Sequence, residues 1–217
     1  KAWADLSHRA VIAISGEDRL MWLHSLTTQH LEELTPGDWK EALILDPQRH
    51  VEQQLFLVDD GVTTYLHLDH EKAPLLVDYL QKMKFMLRVE VADVSTTYAI
   101  LKAPGKTDAI GGPYALVPRT ELAATINAFN SANLQVGMWA IEAERIAQGR
   151  ARVGFDTDHK SIPNELGLLN KAVHMNKGCY RGQETVAKVF NLGHPPRRLV
   201  LLHLDGSSVD IPSHGDP

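Results

Sequence analysis

The chain has 217 residues, of which 44% are apolar and 23% charged, with a formal net charge of −5 and one cysteine. That length supports one large domain or two small packed ones, and the composition excludes a disordered chain. The negative balance gives no general attraction to nucleic acid, the single cysteine excludes an internal disulfide, and no apolar run approaches the roughly 18 residues of a membrane span. The expectation is a soluble cytoplasmic protein with neither a nucleic-acid nor a membrane partner.

Residues 9–15 read as a β-branched strand. In the SGED that follows, Ser15 is placed to cap a helix with Asp18 three residues on, and Leu20, Leu23 and Leu26 supply its apolar face. His24 and His30 read as surface or half-buried polar residues rather than as ligands. Residues 39–45 and 51–58 flank DPQRH as a hairpin, with Asp46 and Pro47 as turn formers. A strand over 63–68, a helix opened by Pro74 and a strand over 85–94 follow.

That order is close to a split βαβ unit, and near Ser95 it begins again. Strands over 98–103 and 114–117 flank a Gly111-Gly112-Pro113 turn. Pro118 opens a helix that reaches Asn130, and a second helix covers 137–148 before Gly149. The class is α+β, with one half at 1–95 and another at 96–194. Residues 150–171 form a long irregular connection, of the kind that is often functional. A strand over 198–204 has no partner at hand, so 195–217 read as the start of a further, largely absent domain.

Chemistry is densest in NKGCYRGQETVAKV, residues 176–189. Lys177, Arg181 and the start of a helix after the motif are candidates to lower the Cys179 thiol pKa, whereas the plain alternative is a small buried thiol. Gly178 and Gly182 allow positive φ or close backbone approach. Upstream, Glu165 in PNELG can offer two acceptor oxygens to a planar N–H pair such as a pterin edge, or stand as a solvated loop carboxylate.

The KGCYRGQE run, comprising Lys177, Gly178, Cys179, Tyr180, Arg181, Gly182, Gln183 and Glu184, resembles the K-G-C-[YF]-x-G-Q-E signature of the YgfZ family of folate-binding proteins. These are relatives of the glycine-cleavage aminomethyltransferase, the T-protein. Residues 5–28 and 145–168 are similar to segments that both groups share, so the resemblance covers nearly the whole chain. It implies two interlocked ferredoxin-like halves around a central folate cavity, followed by a C-terminal β-barrel. It further implies tetrahydrofolate or a one-carbon derivative as cofactor, with Glu165 at the pterin ring. Cys179 would then be the functional thiol of a protein that supports iron–sulfur cluster assembly or repair, with iron–sulfur proteins or assembly factors as partners. No resident metal site is implied.

Two departures stand out. VEQQLF puts Gln53 and Gln54 where the T-protein carries carboxylates, and glutamine cannot act as one, so glycine-cleavage chemistry is not expected. The DPQRH hairpin lacks the family's glycine, so Arg49 is expected to take a different turn. A folate-dependent one-carbon transferase and a non-catalytic folate-binding module are the other two readings.

Overall fold

The computed structural model describes residues 1–103 and 114–203. The chain runs β1 (Ala2–Asp5), β2 (Ala10–Ser15), α1 (Arg19–Leu26), β3 (Trp39–Leu45), β4 (Val51–Asp59), β5 (Thr63–Leu68), α2 (Ala73–Met83), β6 (Glu90–Asp93), β7 (Tyr98–Lys102), β8 (Tyr114–Pro118), α3 (Leu122–Asn130), β9 (Leu134–Gln135), α4 (Met138–Ala147) and α5 (Gln183–Leu192). Its strands form two sheets, one ordered β3-β4-β5-β2-β6 and the other β8-β7-β1-β9.

Period-two alternation in β2 places its two faces in different cores. Ala10, Ile12 and Ile14 join Leu23 of α1 and Leu76 and Leu80 of α2 in the main apolar cluster. Each fully buried isoleucine or leucine among them contributes about 1.5–3 kcal/mol. Val11 points the other way, into a cluster with Leu6 and Ile100, and there the two sheets meet. The smaller sheet is closed by β1, antiparallel to β7 and parallel to β9. Its Trp3 packs edge-on against Phe129 of α3 at 5.5 Å and donates its indole N–H to Asn130 Oδ1 at 3.1 Å.

A third cluster holds the irregular segment in place. Leu43, Leu45 and Val51 of the β3–β4 hairpin pack against Ala151, Val153, Leu166, Leu168, Tyr180 and Val186. The long connection and the cysteine motif are thereby seated on the hairpin.

Three local expectations need correction. Ser15 ends β2 instead of capping α1, and Asp18 takes the N-cap position without a side-chain cap bond. The Asp18 carboxylate accepts instead from the Arg88 backbone N–H at 2.8 Å and from its guanidinium at 2.8 Å, where a full cation is the stronger donor. Of the strand expected over 85–94, only Glu90–Asp93 is formed. α2 ends at Met83 and the chain must reverse before it can pair with β2, so Phe85 takes φ 45° and, like Met86, is exposed. Residues 198–203 carry no strand, while Leu204, the tail beyond it and the Gly111-Gly112-Pro113 turn lie outside the described residues.

His67 on β5 makes the fold sensitive to acid. Its imidazole stacks on Phe56 at 5.1 Å, meets Tyr114 at 4.3 Å and accepts the Arg9 Nε–H at Nδ1 over 2.9 Å. Nε2 is buried without a partner among the described residues. Burial first, then Arg9, hold its pKa well below the ordinary imidazole value. The unfolded chain therefore takes up a proton near pH 6.5 that the folded chain refuses, so stability is kept above that pH and lost below it. His8 and His24, also shifted down chiefly by burial, act in the same direction. The expected loss from His67 is about 1.4 kcal/mol per pH unit. In His67→Gln, which keeps an acceptor for Arg9, denaturant unfolding from about pH 6.5 to 5 should show a correspondingly flatter slope. A slope equal to wild type would remove His67 as its source.

Candidate functional site

The cysteine motif is built around an inward-turned lysine. Lys177 is buried, and its Nζ donates to the carbonyls of His24, Thr27 at 2.5 Å and Gln29 at 3.2 Å. These carbonyls sit at the end of α1 and the turn after it, where an ammonium satisfies orphan acceptors and suits the helix dipole. Burial pulls the Lys177 pKa down to about 8. Gln183 Nε2 donates to the Lys177 carbonyl at 3.0 Å, and Tyr180 is buried, its phenol pushed up to about 12. Arg181 lies 3.8 Å from Glu52, and Glu184 is exposed in the first turn of α5.

The two motif glycines differ. Gly182 has φ 83°, and a Cβ there would stand 3.1 Å from Arg49 Cα and 3.3 Å from the Asp46 carbonyl oxygen. Arg49 adopts φ 81°, the left-handed region that glycine favours. Motif and hairpin turn thus meet backbone to backbone. Gly178 lies outside the positive-φ region, and a Cβ there would meet nothing within 4 Å.

Cys179 is exposed. Lys177 is committed to its carbonyls, Arg181 faces Glu52, and α5 starts only at Gln183, so these three features shape the loop. What the thiol does border is an open pocket with His24, His30, His174, Glu32 and Lys177 in its wall. The rings of His24 and His30 are 4.9 Å apart and those of His30 and His174 5.3 Å. His24 and His30 read from the sequence as surface or half-buried polar residues rather than ligands. The signal that reading lacked was His174, five residues before the cysteine, which the His174 N–H to Thr28 carbonyl bond of 2.9 Å brings alongside them.

Glu165 is buried rather than solvated. Its carboxylate accepts two guanidinium N–H bonds from Arg197, at 3.1 and 2.9 Å, and the Ile162 N–H at 3.3 Å. Arg197 also binds Asp158 at 2.8 Å and holds that carboxyl well below its usual range. Glu165 and Cys179 line neither a shared pocket nor the central cavity.

That cavity, about 370 Å³, opens between the sheets and α4, within the size range of small-molecule sites. Leu6, Phe56, Leu68, Tyr114, Met138 and Ile141 give it apolar and aromatic walls. Seven cationic side chains line it, Arg9, Lys72, Lys102, Arg145, Arg150, Arg152 and Lys171, against three acidic ones, Asp69, Glu142 and Glu144. Burial pulls the Arg9 pKa below its ordinary value although Asp69 lies at 2.6 Å. Gln54 lines the cavity with its amide fixed, donating to Glu41 Oε1 at 2.6 Å and accepting from the Val153 N–H at 3.3 Å. The buried Glu41 carboxylate is engaged on its other oxygen by Arg150 at 3.2 Å. Gln53 is buried, and its side-chain oxygen has no partner among the described residues.

The α+β fold is similar to that of aminomethyltransferase T. It matches the crystal structure of glycine cleavage system aminomethyltransferase T from Bartonella henselae with a TM-score of 0.72, covering 88% of this chain and 63% of that one at 16% identity. No protein-family model matches the chain. In sequence it is 26% identical over 227 residues to an iron-sulfur cluster assembly factor IBA57 homolog, mitochondrial, of Mycosarcoma maydis, covering 92% of this chain and 56% of the relative. It is 23% identical over 259 residues to an aminomethyltransferase of Rippkaea orientalis, covering 98% of this chain and 69% of the relative. The chain therefore spans little more than half the length of the assembly factor. These similarities support the likeness of the KGCYRGQE run to YgfZ and aminomethyltransferase-like proteins. Among the described residues, no helix is long and apolar enough to cross a membrane.

Proposed function

We propose that this chain binds a tetrahydrofolate-type ligand in the central cavity and supports iron–sulfur cluster assembly, with Cys179 as its working thiol. The observation that carries the reading is the cavity's lining. In a chain of net charge −5, seven cations stand against three acids around aromatic and apolar walls. A flat heteroaromatic ring joined to a glutamate tail needs that combination, apolar faces for the ring and cations for the carboxylates. Glu165, expected at the pterin ring, lies outside the cavity's lining with its carboxylate held by Arg197, so it takes no part in this reading. The amide of Gln54 and the doubly engaged Glu41 leave no free carboxylate at the position where the T-protein carries one, which weighs against glycine cleavage.

The assembly half of the proposal draws on the IBA57-type relative and on the exposed thiol beside three imidazoles. Its test is Cys179→Ala expressed in place of the native chain, with the activities of iron–sulfur enzymes as readout. Those activities should fall to the level of a strain lacking the protein. Activities at wild-type level would remove the thiol from the function.

A further inference from the structure

Where α1 ends, two imidazoles and a carboxylate converge on the pocket that Cys179 borders. Ligand atoms of His24, His30 and Glu32 all lie within 4.8 Å of one another. His24 Nδ1 faces Glu32 Oε2 at 3.9 Å, and its present partner is the Leu31 N–H at a long 3.3 Å. His30 stands ring to ring with His24 on one side and with His174 on the other.

The backbone carrying these side chains is tied down. The His30 N–H donates to Gln29 Oε1 at 3.1 Å, and the Lys177 ammonium gathers the His24, Thr27 and Gln29 carbonyls beneath the pocket. Imidazoles packed on one another in an open pocket wall add little to a core, whereas imidazole nitrogens facing a carboxylate form a ligand set.

We propose that His24, His30 and Glu32 bind one divalent first-row transition ion, iron(II) or zinc(II), in the pocket bordered by Cys179 and His174. Metal–ligand bonds of about 2.0–2.2 Å bring tetrahedral ligand atoms to about 3.4 Å apart. The 4.8 Å spread closes to that by rotation of Glu32, which is exposed, and of His30, which is half-buried. Two imidazoles and one carboxylate leave coordination positions open, and His174 and Cys179 line the same pocket, as sources of a further nitrogen or a thiolate. Nitrogen ligands select such ions over magnesium and calcium, which take oxygen. The site shares no lining residue with the central cavity, so it stands or falls apart from the folate reading.

The test is direct titration of the chelator-treated full chain, with iron(II) under anaerobic conditions and separately with zinc(II) and magnesium(II), followed by calorimetry and elemental analysis. One iron or zinc per chain should bind, magnesium should not, and His30→Ala and Glu32→Ala should each weaken binding by about tenfold or more. Both positions are at least partly exposed, and an unchanged thermal transition will show that the variants fold. Absence of iron and zinc binding by the wild type, binding unchanged in both variants, or magnesium binding as tightly as zinc would overturn the proposal.

Discussion

Lys177→Met is expected to lower folding stability by about 3 kcal/mol, although methionine nearly fills the space of the lysine stem. The reason is the three carbonyls, those of His24, Thr27 and Gln29, that lose their shared donor. A buried acceptor left without a partner costs about 1–3 kcal/mol. Relief of the desolvation that pulls Lys177 down to about 8 offsets part of that sum. Denaturant unfolding at neutral pH is the measurement. A change within about 0.5 kcal/mol, the range of an ordinary surface substitution, would mean that water replaces the ammonium at no cost.

Gly182→Ala should cost about 2–3 kcal/mol, while Gly178→Ala, four residues away in the same motif, should fall within about 0.5 kcal/mol. An alanine at φ 83° carries about 1–2 kcal/mol of backbone strain. Its Cβ would also press at 3.1 Å on Arg49 Cα, a backbone atom that cannot rotate away. Both variants can be followed by thermal unfolding. Equal effects at the two positions would show that the motif's glycines serve something other than this backbone contact.

Where a pattern repeats within a few residues, the fold could be read from the chain. The alternation of β2 and the 39–58 hairpin are local, and the structure has both. The AWAD segment of β1 is too short to show a period and is a strand because β7 and β9 close around it, a contact about a hundred residues away. Residues 85–89 have strand composition, yet the need to reverse after α2 overrides it.

The candidate site divides in the same way. The motif around Cys179 is contiguous and was legible, but its lysine points into the protein rather than at the thiol, because the end of α1 offers it three carbonyls. The histidine pocket joins residues 24, 30 and 174, and the cavity joins residues spread from Leu6 to Lys171, so neither closes within one stretch of sequence. The left-handed conformation of Arg49 has no residue-type signal in DPQRH, which lacks glycine, and it occurs where the hairpin backbone lies against Gly182.

Calorimetry with tetrahydrofolate under anaerobic conditions tests the central claim most directly, comparing the wild type with Ile141→Trp, which fills the cavity from α4. The wild type should bind one equivalent, and Ile141→Trp should abolish binding while keeping the wild-type thermal transition. A wild type that takes up no tetrahydrofolate, or binding that Ile141→Trp leaves unchanged, would contradict the assignment of this cavity.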